Sequence, residues 1–214
     1  RYKGFIMGLV KLNDRGVRNA TTFGSVSGGA MTFIKKLTAS ASSTLEFEDG
    51  TSDVVLDSTY KEYMFIFNDI HPSATSGSPI FSFQGNAAGG SGYDETMTTT
   101  HFRAGHNEDD TDTYMSYNTG KDQAQGTGFQ PLVDGDTGGD NDQSVSGYLH
   151  LFNPSSTTFV KQFISRTSSV QSNDVANQAF DAGYFNTTSA IDEIQFKMST
   201  GNIDAGDICL YGIK

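Results

Sequence analysis

Four aspartates, Asp134, Asp136, Asp140 and Asp142, fall within the nine residues of DGDTGGDND. Calcium takes about six to eight oxygen ligands from a supple loop, and clustered aspartates between glycine turns are a way to supply several of them. The helix-loop-helix calcium pattern fails here, because Gly138 stands at its fifth position and Val145 where the bidentate glutamate belongs. These four are therefore weak Ca²⁺ candidates on what reads as a solvated acidic loop. Histidine chemistry has four candidates, His71, His101, His106 and His150. His101 and His106 sit near the acidic run 108–112, yet no H-E-x-x-H spacing exists and the single cysteine, Cys209, is remote in sequence. They read as surface or strand-end residues. GNAAGGSG (85–92) lacks the Lys-Ser/Thr pair of a phosphate cradle, and no G-x-S-x-G elbow is present. Numerous loop carboxylates by themselves carry no signal for a glycosidase pair. The expectation is a chain with no catalytic residue and no cofactor.

Sugar binding needs aromatic faces instead. Tyr93, Tyr114, Tyr117 and Phe129 stand in or near the polar loops between 85 and 142, although the chain has no Trp. They are the glycan candidates. Asn19 and Asn186 fit the glycosylation acceptor pattern, which matters only in a secreted protein.

The elements that must position such groups are strands. Charged residues make up only 18% of the chain, glycines number 24, and sixteen Phe and nine Tyr supply the bulk. Aromatic and β-branched residues fit a pleated, half-buried surface, and Gly, Asn, Asp and Ser make its turns. TYKEYMFIFNDI sets Tyr63, Phe65 and Phe67 on one face and Met64 and Ile66 on the other, as in a strand apolar on both sides. PIFSFQ, YDETMTTTHFRAG, GYLHLFN, TFVKQFISR and QAFDAGYFN add further strands, and 107–146 reads mostly as loop with a short strand at 129–133. The last two stretches, IDEIQFKM and DICLYGI around STGNIDAG, read as a hairpin. A final strand apolar on both faces is expected beside an early strand, hiding a sheet edge. Cys209 is expected as a small core residue on it.

The pattern predicts an all-β, antiparallel, jelly-roll-like β-sandwich over 33–214, of nine or ten strands, preceded by an extended arm over 1–32. Residues 1–36 carry seven cations against the lone Asp14, about +6, so the rest of a chain of net charge −11 carries about −17. So acidic a body repels phosphate backbones and argues against nucleic acid as a partner. No apolar run approaches the roughly 20 residues of a bilayer span, so no membrane partner is expected. The arm residues Phe5, Ile6, Leu9, Val10, Lys11, Leu12, Arg15, Arg18 and Phe23 combine basic and apolar character, as an assembly segment needs.

Several stretches carry a resemblance. GYLHLFNPSSTTFVKQFISR, then AGYFNTTSAIDEIQFKMSTGNIDAGDICLYGIK, and MGLVKLNDRGVRNATTFGS near the start resemble virion-associated proteins of marine tailed bacteriophages, cyanophages above all. STYKEYMFIFNDIHPS and MTTTHFRAGHNE fit the same pattern, while RYKGFI before Met7 departs from it, as an upstream start or a processed longer chain would. The resemblance implies a non-enzymatic structural subunit, either a capsid decoration protein or a head or tail fibre component. It implies other virion proteins as partners, a homo-oligomer (a trimer being plausible for jelly rolls), and a place on the particle exterior. The alternative is a carbohydrate- or receptor-binding module working through loops 85–142.

Overall fold

A computed structural model describes residues 29–214, so the arm candidates from Phe5 to Phe23, and Asn19, lie outside the described residues. Thirteen strands follow in chain order: β1 (Met31–Thr38), β2 (Leu45–Glu48), β3 (Glu62–Pro72), β4 (Phe81–Ala87), β5 (Met97–Asn107), β6 (Thr113–Tyr117), β7 (Ala124–Gly126), β8 (Gln130–Pro131), β9 (Val145–Phe152), β10 (Lys161–Val170), β11 (Val175–Phe185), β12 (Ile191–Met198) and β13 (Ile203–Ile213). The large sheet runs β1-β13-β3-β9-β10-β11-β5-β6, with β7 on β5; the small sheet runs β2-β12-β4-β8. All pairings are antiparallel and neither sheet closes, so the two layers form the expected β-sandwich.

Alternation in each strand drives one face of each sheet into the shared core. β3 contributes Tyr63, Phe65, Phe67 and Ile70; β13 contributes Ile208 and Leu210; from the small sheet come Phe81, Phe83, Ile194 and Phe196, all essentially sealed from water. Phe196 is the hub. Its ring lies 5.3–5.4 Å from Phe67 and Phe65 and 5.9 Å from Phe81, most of these contacts edge-on or tilted as aromatic quadrupoles prefer.

The chain end departs from the sequence reading. β12 and β13 are not a hairpin: β12 pairs β2 and β4, whereas β13 lies between β1 and β3. Residues 199–202 carry the chain from one layer to the other. Inward alternation is the same whether two strands lie side by side or face to face, so the apolar pattern alone does not separate the cases. β13 does meet an early strand, as expected, but inside the sheet rather than at its rim, and β1 forms the edge. The first strand begins at Met31, and Lys214 donates its N–H to Ala30 O at 3.0 Å, so the sheet takes in the last residues assigned to the arm. In the stretch expected to be mostly loop, β8 falls within the short strand expected at 129–133, and β6 and β7 are two further short strands that were not expected. Cys209 points to the outer face of β13, not to the core, and is only half-buried; burial pushes its thiol up.

Gly206 shows why one glycine is required. It sits at φ +108° where β13 shifts register against β3, and a Cβ there would collide with the Asp69 backbone.

Candidate functional site

The inward face of β5 carries Met97, Thr99 and His101, with Arg103 in the same register, and the opposing inward positions of β11 carry Asp181 and Asn177. Register sets His101 directly against Asp181. The loop after β8 folds Asp134 inward onto the same spot. His101 Nδ1 lies 2.7 Å from Asp181 Oδ1, its Nε2 lies 3.4 Å from Asp134 Oδ1, and all three side chains are sealed from solvent. Arg103 donates to Asp134 and, through Nε, to Ser116 Oγ at 3.2 Å, while its guanidinium lies 4.8 Å from the Tyr114 ring centre. Asn118 donates to Asp134 at 2.6 Å, and Gln130 donates to Asp181 at 3.3 Å while accepting from Thr99 at 2.7 Å.

Burial, the largest single influence on His101, pulls its pKa down, but bonds to Asp134 and Asp181 and their charges hold it up at about 9. Burial likewise pushes Asp134 up, and His101, Asn118 and Arg103 outweigh it, holding this carboxyl well below the usual range. Asp181 is raised, because its burial outweighs the bonds from His101 and Gln130. With Arg103 and Asp134 charged, a single proton shared across the 2.7 Å His101–Asp181 bond leaves the cluster neutral.

A histidine oriented by a carboxylate is half of a hydrolytic triad. Here the other nitrogen meets a second carboxylate rather than a hydroxyl, and the group has no solvent exposure. Its chemistry is structural: it pins β5 and β11 of the large sheet to the loop that carries Asp134.

The sequence candidates separate accordingly. Asp134 spends both oxygens in the buried cluster, Asp136 accepts from Ser172 at 2.6 Å, and Asp140 and Asp142 stay exposed on the loop. Among the described residues no group of three or more His, Cys, Asp or Glu is placed to hold a metal ion. His101, expected at the surface, is core; its alternation with Met97 and Thr99 was the available signal, and Asp181, far along the chain, was the missing half. His106 is exposed beside Asp110 at 3.1 Å, His71 meets the Asp140 carbonyl at 3.2 Å, and His150 lies 3.0 Å from Glu62. The glycan candidates form no platform. Tyr93 sits among Glu46, Glu48 and Glu193 of the small sheet, Phe129 lies under Lys197 at 3.8 Å, and Tyr114 and Tyr117 point to opposite faces of β6.

What the structure does bring together is the outer face of the large sheet. Register aligns Phe33, Tyr211, Met64, His150, Ile164 and Ala182 across six strands, and beside them Cys209, Ile66, Tyr148, Arg166, Phe180 and Phe102. Phe102 and Phe180 stack at 4.6 Å and 4°, with Arg166 5.2 Å from the Phe180 centre and held by the Gln178 amide oxygen at 2.7–2.8 Å. The exposed large hydrophobics among the described residues, from Met31 and Phe33 to Phe102, Met115, Tyr117 and Ile164, belong to this sheet or, as Phe159 and Val160, to its β9–β10 loop. Comparison with protein-family models, curated proteins and solved structures finds no match to this chain.

Proposed function

We propose that this chain is a non-enzymatic structural subunit of a tailed-phage virion, a capsid decoration or fibre component joined to the particle through its N-terminal segment. The observation that supports the reading best is where that segment enters the fold. It leads into β1, which among the described residues is the edge strand of the large sheet, beside the outer apolar face that begins with Phe33 and Tyr211, whose rings meet edge-on at 5.5 Å. A strand at the edge of the sheet among the described residues, preceded by a basic and apolar sequence, suits addition to a neighbouring subunit. A self-complementary or ring-forming contact through that flank would give the homo-oligomer, a trimer among the options. Other virion proteins are the proposed partners and the particle exterior the proposed location.

Mass spectrometry and immunogold labelling of purified particles test the reading, with the protein expected as a stoichiometric component. Its absence from washed particles overturns it. Deleting residues 1–28 is expected to abolish incorporation while leaving the domain folded; a deletion to residue 32 would cut into β1 and confuse the two effects.

A further inference from the structure

We propose that the outer face of the large sheet holds a binding groove for a neutral oligosaccharide, between the rings of Phe152 and Tyr184. The groove is made of two adjoining depressions of about 370 and 520 Å³ that share Phe152 and Gln162. Each lies in the size range of small-molecule clefts, and their succession suits a chain of units rather than a compact ligand. Depth comes from small residues: Ala182 and Thr100 lie next to each other in register on β11 and β5, where larger side chains would fill the sheet surface. Phe152, one face of whose ring lies against His150 at 4.2 Å, and Tyr184 line the two sides of the groove, and the second depression continues past Asn153 to Phe159 and Thr188.

The chemistry of the lining selects the ligand. Aromatic rings offer faces to the C–H side of a sugar, while amides and hydroxyls meet its OH groups; a pocket of this kind is mostly apolar with a few placed polar groups. Among the described residues Gln162, Tyr184 and Thr188 make no side-chain hydrogen bond, and all three line the depressions. No residue lining either depression is charged; the neighbouring cations are engaged by the protein, Lys61 by the Asn153 amide oxygen at 3.4 Å and Lys161 by the Phe159 and Thr187 carbonyls at 3.0 and 3.1 Å. The nearest carboxylate by register, Glu62 opposite Phe152, lies 3.0 Å from His150. An aromatic-flanked groove with no charged lining residue, whose neighbouring lysines are already bonded to protein oxygens, matches a neutral glycan better than an acidic one. Of the 85–142 range that the sequence offered, this site uses only Thr98, Thr99 and Thr100 of β5, and it does not depend on whether the chain is part of a particle.

The test is titration calorimetry and affinity electrophoresis of the full chain with a β-glucan, a mannan and a galactan as neutral probes, and alginate and a sulfated galactan as acidic ones. Saturable binding to at least one neutral probe is expected, persisting in about 0.5 M NaCl because no ion pair carries it. Tyr184→Ala and Phe152→Ala are each expected to weaken binding about tenfold or more. Ala182→Leu is expected to abolish it with both rings intact, and Tyr117→Ala, on the same face outside the groove, to leave it unchanged. Thermal melting of each variant separates lost binding from lost folding, and Ala182→Leu retains the test where a ring deletion fails to fold. The proposal is overturned if no neutral probe binds, if binding is confined to acidic probes or vanishes with salt, or if all groove variants bind as wild type. It is equally overturned if those variants instead weaken self-association of the sugar-free protein, which would make a second copy the occupant.

Discussion

His101 is the residue on which the interior electrostatics turn. Its folded pKa of about 9 lies above its ordinary value near 6.5, so its protonated form contributes stability that is complete below pH ~6.5 and lost as pH rises through about 9. Melting temperature is therefore expected to fall between pH 7 and pH 9, and a His101→Gln variant to lose most of that slope; equal slopes would show that the histidine does not titrate there. Asp134 acts with the opposite sign, contributing stability at neutral pH that disappears as pH falls below ~4. Removing one partner of a buried charged group leaves the others uncompensated, so His101→Ala is expected to cost about 3–5 kcal/mol in urea unfolding. A cost under ~1 kcal/mol would place the cluster in contact with water.

β12 is the element that joins the two layers. It is flanked by β2 and β4 in the small sheet, and its Phe196 projects into the ring cluster of the large one. Truncating such a ring removes transfer energy and leaves a cavity, so Phe196→Ala is expected to destabilise the domain by about 3–5 kcal/mol, which lowers the melting temperature by roughly 10 °C in a domain of this size. A change of only a degree or two would mean that the core collapses into the space. The same element explains the misread hairpin. IDEIQFKM and DICLYGI alternate alike, and a polar link containing Gly201 serves equally as a tight turn or as a step between sheets. What decides is the partner strand, and neither β4 nor β3 is adjacent in sequence.

The whole molecule has two unlike surfaces. The outer side of the small sheet gathers Glu46, Glu48 and Glu193, whose field helps burial raise the Tyr93 hydroxyl pKa. The large sheet presents rings and aliphatic side chains instead. Attachment through a basic N-terminal segment to an acidic neighbour would weaken with salt, since charges farther apart than about 10 Å are screened at ~0.1 M. Under the proposed particle role, release of the protein from particles is accordingly expected to rise with ionic strength, while the proposed glycan binding is expected not to depend on it. Salt-independent retention on particles would assign attachment to the apolar face alone.

Composition and alternation determined the class of fold. Ile194 and Phe196, alternating with Gln195 and Lys197, declare their inward face by a period of two, which is local information, whereas β3 and β13, apolar on both faces, left theirs open, as the outward Cys209 shows. They could not declare which sheet each strand joins, because that depends on pairings between residues far apart in the chain, such as Asp181 with His101 or Tyr211 with Phe33. The buried cluster and the groove were illegible for the same reason. Each is a property of neighbouring strands in register, and only the tertiary structure brings Phe152 and Tyr184, or a histidine and two distant aspartates, to one place.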